Sequence, residues 1–142
     1  MTLLHPPTVT RSLEEPPPRP KPRRSWRGKF ADAFRGIKLG VRGHSSFFVH
    51  FFVAAGVLLA AIVLGCNLLE WCLLLGCIGL VLTAELFNSA IETLFRGLDD
   101  ETKSRVWPAL DIAAGAVLLA SISATVVGAL VFLRHVAVLF WG

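Results

Sequence analysis

Three long apolar runs dominate the chain from residue 47 onward. They cover approximately 47–64, 69–95 and 107–133, and each is long enough to cross a hydrocarbon core of about 30 Å as a helix. Polar breaks separate them at Gly65–Asn67 and at Arg96–Arg105, and Pro108 is placed for the first turn of the third helix. The pattern predicts an all-α integral membrane protein with three transmembrane helices.

A shorter amphipathic pattern precedes the first run, over residues 26–43. Its apolar positions recur at spacings of three and four residues, with cations between them: Phe30, Phe34, Ile37 and Val41 alternate with Arg27, Lys29, Arg35, Lys38 and Arg42. A basic helix with one aromatic stripe favours the membrane surface, where Lys and Arg reach lipid phosphates. Residues 1–25 hold seven of the eight prolines and are predicted to form a disordered cytoplasmic tail, leaving 26–142 as the membrane domain.

Composition and charge agree with a membrane protein and suggest its orientation. The chain of 142 residues is 54% hydrophobic and 17% charged, which excludes a large soluble catalytic domain. Ten of the 14 Lys and Arg lie at or before Arg42, which favours anionic lipid over nucleic acid as the partner. The first loop has no cation, whereas the second has three, so we expect a multi-pass bacterial inner-membrane protein with its N-terminus cytoplasmic and its C-terminus external.

The sequence gives no indication that the three cysteines bind metal or take part in redox chemistry. Cys66, Cys72 and Cys77 are odd in number and lie in or beside apolar stretches. They have no zinc-ligand partner at a suitable sequence spacing, so we predict that they are buried structural residues.

Acidic residues inside the second run are the strongest sign of chemistry. A charged side chain in a membrane span is costly and needs a partner or a role. Glu85, Asn88 and Glu92 share one helical face, and Asp111 lies at the same level in the third span. Oxygen ligands without thiolates favour Mg²⁺ bridging phosphates, and a carboxylate beside a hydroxyl can accept its proton. Two other interpretations stay open: contacts that only hold the helices together, and a proton- or cation-coupled transporter.

The segment Glu85–Glu92 resembles the signature of the prokaryotic diacylglycerol kinase and undecaprenol kinase family. It reads ELFNSAIE, and the family signature runs, in outline, Glu-x-aliphatic-Asn-Ser/Thr-Ala-Ile-Glu. Residues 34–38 look like the surface helix of the family, and residues 111–117 resemble the opening of its third span. The resemblance covers about 26–133. It implies a homotrimer of three-span subunits that transfers the γ-phosphoryl group of MgATP to a lipid hydroxyl, with diacylglycerol the first expected substrate and undecaprenol the second.

The resemblance also implies roles for individual residues. Glu85 matches the general base of the family, and Asn88 matches a second catalytic position. Glu85 and Ser89 together match the positions that bind the lipid. Glu92 matches a metal ligand that also contacts the nucleotide, and Asp111 and Lys103 complete the nucleotide-binding set. The active sites are expected near the cytoplasmic interface, shared between neighbouring chains.

Three positions depart from the family pattern. His44 stands where the family commonly has a second metal-binding Glu, and because imidazole suits Mg²⁺ poorly, Mn²⁺ or Co²⁺ could serve instead. Arg96 replaces the Asp that closes the signature. Leu110 replaces a Lys whose phosphate contact either Lys103 or Arg105 would have to supply. These changes keep a further alternative open, a catalytically impaired membrane scaffold of the same fold.

Overall fold

The computed structural model describes residues 25–42 and 46–141, and within these ranges every regular element is a helix. The four helices are α1 (Trp26–Arg42), α2 (Ser46–Val63), α3 (Leu68–Arg96) and α4 (Asp100–Trp141). The last three are long and apolar enough to cross a membrane. This confirms the prediction of an all-helical integral membrane protein with three spans. His44 and residues 1–24 of the predicted tail lie outside the described residues.

Helix α4 starts earlier than the sequence pattern suggests. The side chain of Asp99 accepts hydrogen bonds from the backbone N–H of Thr102 at 3.0 Å and from its hydroxyl at 2.7 Å. These bonds satisfy donors of the first helical turn and hold the pKa of Asp99 below its ordinary value. The helix therefore begins at Asp100, and the prediction that Pro108 lies in its first turn is wrong because Pro108 is inside the helix.

A capping box fixes the start of α3. The Asn67 side chain accepts a hydrogen bond from the backbone N–H of Glu70 at 3.1 Å, and the Glu70 carboxylate accepts one from the backbone N–H of Asn67 at 2.8 Å. Gly65, with φ of +66°, makes the turn from α2 in a conformation that other residues rarely adopt. The short connection brings α2 and α3 side by side in opposite directions.

Packing differs between the two ends of the helices. Near the α2–α3 turn, Ala61, Leu74 and Val131 form a small buried core from three helices. Toward the other end of α3, the buried residues are the polar Glu85 and Ser89. A core of this kind is typical of a protein whose outer surface is solvated by lipid tails and not by water.

Helix α1 lies against α3 at one close contact. A β-carbon at Gly40 would lie 2.5 Å from Leu86 Cδ1, so a larger residue at this position requires the Leu86 side chain or α1 itself to move. Aromatic side chains of α1, including Trp26, Phe30 and Phe34, are exposed. Glycine at position 40 thus sets how closely α1 approaches the segment that carries Glu85.

Much apolar surface on the spans is uncovered by the chain itself. Phe52 of α2, Phe87 of α3 and Leu130 of α4 are all more than half exposed. Cys72 is also exposed, and Cys66 and Cys77 are half-buried. The predicted burial is therefore wrong for Cys72, since its side of α3 is not covered by another helix of the same chain.

Candidate active site

Glu85 is the most buried carboxylate at this end of the molecule, with 2% of the residue exposed. Ser46 at the start of α2 donates a hydrogen bond from its hydroxyl to Glu85 Oε1. His50 Nε2, one turn further along α2, lies 3.8 Å from Glu85 Oε2. Two polar side chains on one face of α2 thus surround a carboxylate that α3 places inside the bundle.

A second polar group follows Glu85 along the same face of α3. The Asn88 amide donates a hydrogen bond to Glu92 Oε1 at 2.9 Å, and the Arg96 guanidinium lies 3.3 Å from Glu92 Oε2. The Glu92 side chain is 37% exposed and the Arg96 side chain is 60% exposed. An Asn side chain also carries a carbonyl oxygen that can accept a hydrogen bond or bind a cation. A carboxylate and an amide oxygen are therefore close together at the rim of the bundle.

Ser89 lies between these two groups and is almost fully buried, with 1% exposed. Its backbone carbonyl accepts a hydrogen bond from the Thr93 hydroxyl at 2.8 Å. Its own hydroxyl has no hydrogen-bond partner among the described residues. A buried hydroxyl without a partner is costly, and it can be satisfied by a polar group brought in by a substrate.

Two predicted site residues are not joined to this cluster within the chain. Asp111 is exposed on α4. Lys103 forms an ion pair with Asp100 at 3.3 Å, within the polar first turn of the same helix. His44 lies outside the described residues, so its relation to Glu92 stays a prediction.

An apolar groove leads away from Glu85 between the three spans. Its volume is about 460 Å³, and it is lined at one side by His50 and Val53 and deeper in by Leu74 and Phe132. His50, which lines the groove, also lies 3.8 Å from Glu85 Oε2. The groove and the buried carboxylate are thus neighbours through His50.

The sequence pattern did not identify Ser46 or His50 as residues of the site. Both are polar residues in or next to an otherwise apolar run, and their spacing of four puts them on one face of α2. That spacing is a usable signal, but it does not say which face of α3 the pair meets. The contact between Ser46 and Glu85 joins residues 39 positions apart and depends on how the helices pack.

The helices and the cluster define a membrane protein whose polar residues gather at one end of three apolar spans. Such a cluster can hold phosphate-bound metal and a lipid hydroxyl in one place. The model of the family "Prokaryotic diacylglycerol kinase" matches residues 31–132. The chain belongs to this family of membrane lipid kinases.

A curated relative supports the same assignment. Undecaprenol kinase of Bacillus subtilis (strain 168) is 32% identical over 104 residues, which is 73% of this chain and 85% of the relative. Among solved structures, none gives a significant match to the chain. The family and the relative support lipid kinase activity, and a kinase of this kind uses a nucleotide with a divalent metal at a membrane.

Proposed function

We propose that the protein transfers the γ-phosphoryl group of ATP to the hydroxyl of a membrane lipid. The observation that carries the proposal is the buried Glu85 carboxylate, which accepts a hydrogen bond from Ser46 and lies 3.8 Å from His50, a residue that lines an apolar groove. A carboxylate kept inside a membrane helix is costly unless it has a role or partners. A lipid hydroxyl entering from the groove would meet Glu85 directly.

Glu85 is the proposed general base. It would accept the proton of the lipid hydroxyl while the hydroxyl oxygen forms its bond to phosphorus. The Ser46 hydrogen bond holds one carboxylate oxygen in place, and the other, beside His50, is left to meet the substrate. The unpartnered Ser89 hydroxyl would bind the lipid headgroup.

Glu92 and Asn88 are the proposed contacts for the metal and the nucleotide. Their carboxylate and amide oxygens are hard ligands that fit a Mg²⁺ ion carried on phosphates. The ion, when bound, neutralises charge on the transferring phosphoryl group. Arg96 lies 3.3 Å from Glu92 without the ion and could turn to a phosphate oxygen when the ion is bound. Lys103 and Asp111 are also proposed to contact the nucleotide. His44 is proposed as a further metal contact, which would widen metal use to Mn²⁺ or Co²⁺.

The lipid is proposed to be a long-chain alcohol. The sequence prediction placed diacylglycerol before undecaprenol, whereas the curated relative is an undecaprenol kinase. On the strength of that relative, undecaprenol is the first substrate to test and diacylglycerol the second. Both carry a primary hydroxyl, and the chemistry at Glu85 is the same for each.

We also propose that the protein assembles into a homo-oligomer, which the family resemblance implies is a trimer. A neighbouring subunit would then complete the active site. Asp111 is an exposed carboxylate on a membrane-crossing helix, and no described residue forms a hydrogen bond or ion pair with it. A carboxylate facing lipid is strongly unfavourable. A neighbouring subunit covering this face of α4 would shield Asp111 and could bring it to the nucleotide.

Phosphate transfer to a lipid panel tests the proposal. Purified protein is incubated with γ-labelled ATP, Mg²⁺ and either undecaprenol or diacylglycerol, and label in the extracted lipid is measured. Glu85→Gln keeps the shape of the side chain and removes its basicity, so turnover should fall by about 100-fold or more with little change in nucleotide affinity.

Glu101→Gln is the matched control. Glu101 is an exposed carboxylate in the first turn of α4, paired with Arg105 at 2.6 Å, and its substitution should leave turnover unchanged. If Glu85→Gln kept the turnover of the wild type, Glu85 would have a role in packing only. Transfer to neither lipid by the wild type would favour the impaired scaffold.

A further inference from the structure

A second polar cluster lies at the opposite end of α3, beside the turn from α2. It consists of Cys66 in the turn, Glu70 in the first turn of α3 and His135 near the end of α4. Glu70 is 5% exposed although it is charged. The helix rises by about 22 Å between Glu70 and Glu85, so this cluster is separate from the candidate active site.

Local structure at the turn positions the Glu70 side chain and the backbone of Cys66. The capping box turns the Glu70 carboxylate back over the start of the helix, where Oε2 accepts the Asn67 backbone N–H at 2.8 Å. The backbone N–H of Cys66 donates to the carbonyl of Ala61 at 3.0 Å, next to the left-handed Gly65. The Glu70 side chain and the Cys66 backbone are therefore positioned before any ligand arrives.

Packing of α4 supplies the third side chain. Val131 belongs to the small core with Ala61 and Leu74, and Cys66 packs against the same core. His135 follows Val131 by one helical turn on the same face. His135 Nε2 consequently lies 3.0 Å from Glu70 Oε2, although the two residues come from different helices.

We propose that Cys66 Sγ, a carboxylate oxygen of Glu70 and an imidazole nitrogen of His135 bind one divalent transition-metal ion of the Zn²⁺ type. The three ligand atoms lie within 4.8 Å of one another, so small side-chain rotations would bring all three onto one ion. Thiolate, imidazole and carboxylate are the donor set that zinc uses in proteins, commonly with four ligands in tetrahedral geometry. On binding, the Cys66 thiol gives its proton to solvent.

The surroundings leave room for a fourth ligand. A cavity of about 440 Å³ borders the cluster and is lined by Glu70, Arg134 and His135 together with apolar residues such as Val138. Water could enter through this cavity and take the fourth position. Arg134, at 3.4 Å from Glu70 Oε1, would hold the second carboxylate oxygen, as partners of metal-ligating carboxylates do.

Charge also favours a divalent ion at this place. A thiolate, a carboxylate and a neutral imidazole together carry two negative charges, which one divalent ion balances. Arg134 Nη1, 3.4 Å from Glu70 Oε1, is a fixed positive charge at the edge of the cluster whether or not the ion is bound. Because the thiol must lose its proton to bind, metal binding at this place depends on pH.

Cobalt absorption tests the site directly. The full chain, purified in detergent with its thiols reduced, is titrated with Co²⁺, whose thiolate complexes give a near-ultraviolet charge-transfer band. We expect one Co²⁺ per chain with this band and displacement by Zn²⁺. Cys66→Ser should abolish the band, and His135→Gln should weaken Co²⁺ binding by about tenfold or more.

Cys72→Ser is the matched control, because Cys72 is an exposed thiol of α3 outside the cluster, and the variant should bind Co²⁺ as the wild type does. Maleimide labelling of the unaltered protein gives a second measurement, in which Zn²⁺ should protect Cys66 and not Cys72. No thiolate band in the wild type, or an equal band in Cys66→Ser, would overturn the proposal. Lower thermal stability of His135→Gln with unchanged Co²⁺ binding would show that Glu70 and His135 form an ion pair only.

Discussion

Carboxylates at the two ends of α3 are buried by different means. Glu85 is held by Ser46 and His50 from α2, and Glu70 is held by its own helix start and by α4. In both places a charge inside a membrane protein has nearby donors, as its desolvation requires. These two buried carboxylates are the observations on which both proposed sites rest.

Ser46 gives a prediction at the scale of the single residue. Ser46→Ala removes the hydrogen bond to Glu85, and a bond to a charged group contributes about 1.5–3 kcal/mol. If that bond orients Glu85 in the transition state, kcat should fall by about tenfold or more with the KM for ATP unchanged. The measurement is steady-state transfer of phosphate to lipid.

Two variants serve as controls for Ser46. Ser46→Thr keeps the hydroxyl and should retain most of the activity. Ser123→Ala removes a hydroxyl of α4 that bonds only to the Leu119 carbonyl, at 2.9 Å, and should have no effect. Equal losses in Ser46→Ala and Ser46→Thr would mean that side-chain size at this position matters and the hydrogen bond does not.

At the scale of the element, helix ends and one glycine contact set the geometry. Asp99 starts α4 and Asn67 starts α3, each by a side chain that accepts backbone N–H groups. Gly40 allows α1 to reach Leu86, the residue next to Glu85. The position of α1 is therefore linked to the face of α3 that carries the candidate active site.

Gly40→Leu should displace α1 from α3. The new side chain would meet Leu86, and overpacking of this kind costs about 1–3 kcal/mol. We expect a lower midpoint of thermal unfolding and a several-fold loss of lipid kinase activity, measured on the same preparation.

Gly36→Leu is the control for this prediction. A β-carbon at Gly36 has no neighbour within 4 Å, and the substitution improves helix propensity on the same helix. It should leave activity unchanged and the unfolding midpoint equal or higher. If both variants lost activity, the cause would be the reduced flexibility of α1 or its altered exposed surface, and not the contact between Gly40 and Leu86.

At the scale of the whole molecule, the three spans must cross the membrane in a definite direction for Glu92 to meet nucleotide. We propose that the N-terminus and the α3–α4 turn are cytoplasmic, because cations gather there. A reporter fused after Ser104, which retains two spans, should then be cytoplasmic. A reporter fused after Gly142 should be external.

Each fusion is the control for the other, because the two proteins differ only by the presence of the third span. Both reporters on one side would contradict three crossings. A reporter after Ser104 on the external side would place Glu92 and Arg96 away from cytoplasmic ATP, and the proposed site would then have no nucleotide supply.

Helix positions and the polar face of α3 could be predicted from the sequence alone. Apolar length decides whether a helix can cross a membrane, and the spacing of Glu85, Asn88 and Glu92 decides that they share a face; both are local properties. The start of α4 was misplaced because the cap at Asp99 is a stronger signal than Pro108. The motif also indicated the family, which residues 31–132 confirm.

Tertiary structure alone decided which residues from different helices meet. Ser46 reaches Glu85 across 39 positions and His135 reaches Glu70 across 65, and no sequence spacing encodes such distances. For the same reason, the spacing of residues along the chain gives Cys66 no zinc-ligand partner, whereas the packing of α4 places His135 beside it. The sequence determined which side chains each helix carries on each face, whereas the packing of the helices determined which of those faces touch.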